Sequence, residues 1–187
     1  MNWFHRQVCR SGRWRRRVEK DLLPWALQGV RLGDDVLEVG PGPGVTTDLL
    51  RRLTPRLTAL EVDAAAAAAL EKRLEGSGVV VVHGDGAAMP FADGSFSGVA
   101  AFTMLHHVPS PATQDRLLAE ARRVLRAGGV FAGFDGVGSL LFRLVHLGDT
   151  YVPVDPDTFA RRLEAAGFVE VAVERGRGRF RFRATRA

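Results

Sequence analysis

The stretch Val36-Leu37-Glu38-Val39-Gly40-Pro41-Gly42-Pro43-Gly44-Val45-Thr46-Thr47 holds the densest chemistry in the chain. Glycine takes φ > 0 and leaves no Cβ in the way of a ligand. Pro41 and Pro43 lack N–H groups and hold the loop bent. A pyrophosphate-binding turn spaces its glycines G-x-G-x-x-G. Here they read G-x-G-x-G, and Glu38, two residues upstream, is a poor neighbour for a pyrophosphate. A second run, Leu57 to Asp63, ends acid-valine-acid. An acid at that position accepts hydrogen bonds from both hydroxyls of a ribose. Glu61 lies 21 residues after Gly40, near the expected spacing. Asp63 is the alternative ribose ligand, or else the N-cap of the next helix. Asp85, in Gly84-Asp85-Gly86, either accepts a hydrogen bond from a ligand or forms a turn. His107, in Met104-Leu105-His106-His107-Val108-Pro109, orients a substrate, acts as a base, or holds its loop.

These residues need strands that end together. Gly33-Asp34-Asp35 turns the chain into the first strand, and Val45 to Leu53 reads as a helix closed by Pro55. Ala64 to Glu75 is helical by propensity alone. Val79 to His83 is an unbroken β-branched run, the pattern of a strand buried on both faces. Asp93-Gly94-Ser95-Phe96 turns into a strand at Ser97 to Thr103. Pro111 to Arg126 follows as a helix with the inner stripe Leu117, Leu118, Ala121, Val124 and Leu125. Gly128-Gly129 caps it, and Val130 to Asp135 supplies a fifth strand. Gly136 to Val154, holding Phe142, His146 and Tyr151, is either a substrate-binding insertion or a short packed helix. A helix opened by Pro156 runs to Ala166. Val169 to Glu174 and Arg179 to Ala184 form a hairpin across Gly176-Arg177-Gly178. In its second strand Phe180 and Phe182 alternate with Arg179, Arg181 and Arg183. Strand and helix alternating in this way imply a parallel sheet.

Residues 1–33 form an N-terminal basic helical extension, with Arg6, Arg10, Arg13, Arg15, Arg16 and Arg17 interleaved with Trp3, Phe4 and Trp14. From Trp14 to Gln28 apolar residues recur at helical spacing, with a kink expected at Pro24. The helix is either a lid or a segment packed on the sheet behind a solvated arginine face. A chain of 187 residues with 46% hydrophobic and 25% charged residues reads as one globular domain. One cysteine, Cys9, excludes an intramolecular disulfide and a cysteine-cluster metal site. No apolar run approaches a membrane span, and a cytoplasmic location is the expectation. The net charge of +5 reflects either composition bias or attraction to nucleic acid.

The E-x-G-x-G-x-G pattern resembles the first motif of the class I S-adenosylmethionine-dependent methyltransferases, of the small-molecule type 11 kind. Gly84-Asp85-Gly86-Ala87-Ala88-Met89-Pro90-Phe91 resembles their G-D-a-x-x-L-P-F signature. Leu105-His106-His107-Val108 is similar to the segment that follows their fourth strand. Phe96-Ser97 departs from the usual Phe-Asp. The resemblance covers residues 34–187 as the methyltransferase domain and implies an α/β, Rossmann-like seven-stranded sheet. Helices cover both faces, and an antiparallel hairpin ends the domain. S-adenosylmethionine is the cofactor so implied, with Glu38, Gly40, Pro41, Gly42 and Gly44 around its methionine end. Glu61 with Val62 would take the ribose, and Asp85 with Gly86 and Ala87 the adenine. Phe102 and Thr103 would lie beside the reacting end, with His107 as candidate catalytic residue and no metal. A small-molecule acceptor is expected. RNA or protein methylation and non-catalytic cofactor binding are the alternatives, although Phe102-Thr103-Met104-Leu105 lacks the N-P-P-Y-like segment of adenine N6 methylation.

Overall fold

The computed structural model describes residues 11–138 and 148–187; Trp3, Phe4, Arg6, Cys9, Arg10, Phe142 and His146 lie outside the described residues. Seven strands, β1 (Asp35–Val39), β2 (Arg56–Glu61), β3 (Val80–His83), β4 (Phe96–Phe102), β5 (Leu125–Gly136), β6 (Phe168–Gly176) and β7 (Arg179–Arg186), form one sheet. Its order is β3-β2-β1-β4-β5-β7-β6. The first five strands pair in parallel, and β7 runs antiparallel between β5 and β6. The order reverses between β1 and β4, so a crevice opens above their carboxyl ends, where open α/β sheets bind ligands.

Side chains alternate across the strands, and this divides the core in two. Leu37, Val39, Val99 and Ala101 meet Leu117, Leu118 and Ala121 of α5 (Pro111–Val124) and Phe159 and Leu163 of α6 (Pro156–Ala165). On the other face, Val36, Ala100 and Phe102 meet Val18, Leu22, Leu23 and Ala26 of the N-terminal segment and Leu49 and Leu50 of α3 (Thr47–Leu50). Each large apolar side chain so buried contributes about 1.5–3 kcal/mol. The α4 helix (Ala64–Arg73) closes the β2 and β3 end through Leu70. Among the described residues no helix is long and apolar enough to cross a membrane.

Several boundaries differ from the sequence expectation for local reasons. The N-terminal segment is not a uniform helix around Pro24. It comprises α1 (Gly12–Arg17), a wide π turn (Val18–Leu22) and α2 (Leu23–Ala26). Leu23 N–H reaches back five residues to the Val18 carbonyl. The wide turn accommodates the proline, which has no N–H to give and crowds the preceding turn. The helix after the glycine corner is regular only over α3, with single turns on either side. At its amino end β5 begins at Leu125, which pairs with Phe96 ahead of a register shift. The β3 strand is an edge strand, and Val80 is 57% exposed, so its β-branched run is not buried on both faces. The hairpin and the buried Phe180 and Phe182 match the period-two reading. Ser97, the departure from the Phe-Asp of the resemblance, ties the sheet's base together. Its Oγ accepts from Asp35 N–H at 2.9 Å and lies 2.9 Å from the Leu32 carbonyl.

Candidate functional site

A cavity of about 880 Å³ lies over the carboxyl ends of the strands. That is the size of a site for a small molecule of cofactor dimensions. Gly40, Pro41, Gly42, Glu61, Val62, Asp85, Gly86, Phe102, Thr103 and His107 all line it. Thus Glu61 and Asp85, at the ends of separate strands, face one space. Glu38, Gly44 and Ala87 stand behind that wall.

The corner after β1 is built to be approached. Gly40 has φ +66°, and a Cβ there would press on the Met104 side chain at 2.8 Å. Gly42 has φ +52° and open space where its Cβ would point. Its N–H donates to Glu61 Oε2 at 3.0 Å, while Asp63 N–H donates to Oε1 at 3.1 Å. The Glu61 carboxylate is therefore fixed in orientation with lone pairs remaining on both oxygens. Asp63 caps α4, accepting from Ala66 N–H at 2.9 Å. Behind the loop, Arg73 bonds Asp48 at 2.9 Å and the Gly44 carbonyl at 3.1 Å, closing the space at Gly44.

Glu38 is 1% exposed and accepts from both threonines after the loop, with Thr47 Oγ1 at 2.6 Å and Thr46 Oγ1 on the other oxygen. Burial pushes its carboxyl up from the ordinary value near 4.5 to about 7, against the pull of these hydroxyls, with Asp48 and Glu61 adding to the rise. In this range the folded chain keeps a proton that the unfolded chain has released. Stability therefore falls as pH rises from 4.5 to about 7 and levels off above. The drop is on the order of 3 kcal/mol. Glu38→Gln is expected to flatten it, as read by denaturant unfolding at the two ends of that window.

Asp85 forms a turn on itself, its Oδ1 accepting from Ala87 N–H at 2.8 Å, and remains exposed on the cavity wall. Thr103 has φ +52°, an unfavourable conformation for a β-branched residue. Its N–H is held by the Phe134 carbonyl at 2.8 Å. Strain of this kind, on the order of 1–3 kcal/mol, is characteristic of functional sites.

The sequence reading missed the pair His106 and Asp135. Both are buried, with His106 Nδ1 on Asp135 Oδ1 and His106 N–H donating to Oδ2 at 3.2 Å. Gly136 N–H also donates to Asp135, at 2.6 Å. This carboxylate fixes the turn that carries His107 to the cavity. The signal available was the doubled histidine, since only one of two adjacent rings can turn inward from a short turn. His107 Nδ1 lies 3.2 Å from the Thr150 carbonyl. A carbonyl only accepts, so in the neutral ring Nδ1 carries the proton and Nε2 the lone pair.

An acid-edged glycine corner, carboxylates at the ends of the next two strands and a seven-stranded sheet with β7 reversed define a class I S-adenosylmethionine-dependent methyltransferase fold. The methyltransferase domain family matches residues 37–133, and the chain belongs to it. S-adenosylmethionine is the cofactor of that class. A probable S-adenosylmethionine-dependent methyltransferase of Mycolicibacterium smegmatis is 36% identical over 99 residues, which cover 53% of this chain and 37% of the relative. A demethylmenaquinone methyltransferase of Staphylococcus aureus is 35% identical over 123 residues, covering 63% of this chain and 46% of that one. The chain thus spans less than half the length of these curated relatives. Among solved structures, a methyltransferase from Aquifex aeolicus superposes with a TM-score of 0.77 at 19% identity, over 100% of both chains, a likeness of fold.

Proposed function

We propose that this chain binds S-adenosylmethionine along the carboxyl ends of β1 to β4 and transfers its methyl group to a small-molecule acceptor. The observation that carries the reading is the shared cavity of Gly42, Glu61, Asp85 and Thr103. The fit rests on the corner itself. Gly42 leaves room that any Cβ would fill, and a wall bearing Glu61, Asp63 and Asp85 repels a pyrophosphate while suiting an amino-acid ammonium and a ribose diol. In this reading Glu61 accepts from both ribose hydroxyls. Asp85 takes the adenine amino group, with the Gly86 backbone against the ring. Phe102 and Thr103 lie beside the methionine end, and the cofactor supplies an electrophilic methyl whose leaving group is a neutral thioether.

The protein's part is to hold acceptor and methyl in line and dry, which accounts for much of the rate in such a reaction. Trp14, Leu22 and Phe134 provide apolar wall at the acceptor end. His107, on the cavity wall, orients the acceptor or removes its proton. The small acceptor is supported by the bounded cavity and by the name of the staphylococcal relative. The test is calorimetric titration with S-adenosylhomocysteine followed by a screen of metabolite extracts for radiolabelled methyl transfer. Micromolar binding with a labelled product is expected. Binding without product in any extract would remove the transferase reading and keep the cofactor; absence of binding would remove both.

A further inference from the structure

Apart from Arg73, which is tied to Asp48 and the Gly44 carbonyl, charges on the cavity wall are segregated. Glu61, Asp63 and Asp85 stand at the β2 and β3 end, while Arg17, Arg177 and Arg179 stand at the β7 end. Four strand spacings, about 19 Å, separate β2 from β7. Two of these arginines belong to the hairpin, which β5 holds beside the site. Gly136 pairs with Arg179, and Val137 N–H donates to the Gly178 carbonyl at 3.1 Å. The third closes α1, directly before the wide turn.

Two carboxylates of this end are engaged elsewhere, and Asp21, whose charge reaches Arg179, forms no ion pair with it. Glu174 takes Arg181 at 2.5 Å, and Asp157 takes Arg175 at 2.5 Å. Among the described residues no carboxylate forms an ion pair with Arg17, Arg177 or Arg179. Residues 1–10 and 139–147 contain no Asp or Glu, so those segments bring none either. Arg179 lies over the Trp25 ring, 5.6 Å from its centre, which fixes the guanidinium in place. Burial and the charge of Arg17 hold the Arg179 pKa below the usual guanidinium value, with Asp21 opposing. Three cations gathered on one wall with no ion-pair partner among the described residues favour an anion joining them, and a guanidinium fork fits a carboxylate, sulfate or phosphate in bidentate fashion.

We propose that Arg17, Arg177 and Arg179 form the recognition site for an anionic group on the methyl acceptor, a deepening that rests on the cofactor and transfer reading given above. The three arginines close one end of a bounded cavity beside Trp14. A polynucleotide groove would instead track a strand with successive stacking platforms.

The test uses two fluorescent probes that differ chiefly in charge, anilinonaphthalene sulfonate and the uncharged N-phenylnaphthylamine. The protein is titrated with each, both alone and saturated with S-adenosylhomocysteine. The sulfonate is expected to bind about ten-fold more tightly than the neutral probe, and the preference to shrink with added salt. Arg17→Gln and Arg177→Gln alter exposed side chains and together are expected to abolish most of the preference, while S-adenosylhomocysteine affinity stays unchanged. Arg179→Gln is the third variant, its fold checked by its melting temperature. Equal binding of the two probes, or a preference that survives all three substitutions, would overturn the proposal. Displacement of the sulfonate by a short single-stranded RNA at lower concentration than by benzoate or phenyl phosphate would also overturn it, in favour of a polynucleotide. Failure of S-adenosylhomocysteine to bind counts against the cofactor reading alone, because the probe preference is read independently in the unloaded protein.

Discussion

Glu61→Ala is expected to weaken S-adenosylhomocysteine binding by about two to three orders of magnitude, read by calorimetry. Two contributions add. In the proposed pose the carboxylate accepts from both ribose hydroxyls, and hydrogen bonds to a charged acceptor contribute about 1.5–3 kcal/mol each. The same carboxylate receives the N–H groups of Gly42 and Asp63, so its loss also frees the glycine corner at the point where the ligand passes. Glu61→Gln separates the two. It keeps an acceptor for one N–H but lacks the second acceptor and the charge, so an intermediate loss is expected. An unchanged affinity in the alanine variant would remove the ribose assignment.

Asp135→Ala is expected to lower the stability of the fold by about 3–5 kcal/mol, with a matching drop in denaturant midpoint. Asp135 is fully buried at the end of β5 and receives the His106 ring, the His106 N–H and the Gly136 N–H. Truncation leaves all three without their acceptor. The turn they hold is further tied to Val152, whose N–H donates to the His106 carbonyl at 2.8 Å, and to Gln114, which donates to Leu105 and Val152 carbonyls at 3.0 and 2.9 Å. The loss therefore spreads to residues 150–152. Asp135→Asn keeps an acceptor for the ring and is expected to cost less than half as much. If the alanine variant unfolds at the same denaturant concentration as the parent chain, the pair is not structural.

Most of the sheet was readable because period and punctuation are local. The glycine corner, the alternating Phe180 and Phe182, and the stripe on α5 follow from spacing within ten residues. The neighbourhood of Glu61, Gly42 and Asp85 was likewise legible, since each lies at or just after the end of a strand and strands of a parallel sheet end on one side. What escaped depends on residues far apart in the chain. Asp135 looks like the end of an apolar strand until His106, 29 positions earlier, folds against it. Val79 to Val82 reads the same for a central strand and for an edge strand half covered by a helix, and only the sheet order decides. Arg17, Arg177 and Arg179 could not be told from many other arginines, because what sets them apart is their meeting on one cavity wall from distant parts of the chain. The wide turn before Pro24 also left no trace in hydrophobic period, since one extra residue per turn barely disturbs a short pattern.

That wide turn also separates two kinds of change in the chain. An α-helical turn advances by about 100° per residue. A wide turn spends about one residue more on the same sweep. Deleting one residue within Val18–Leu22 would therefore restore an ordinary helix with Trp14 and Arg17 on nearly the same side, whereas deleting Arg15 would swivel Trp14 by that angle away from the crevice mouth. The corner at Gly40–Gly44 and the cap at Asp63 would be untouched. The spare residue in that turn thus lets the segment lose one position while Trp14 and Arg17 keep facing the crevice.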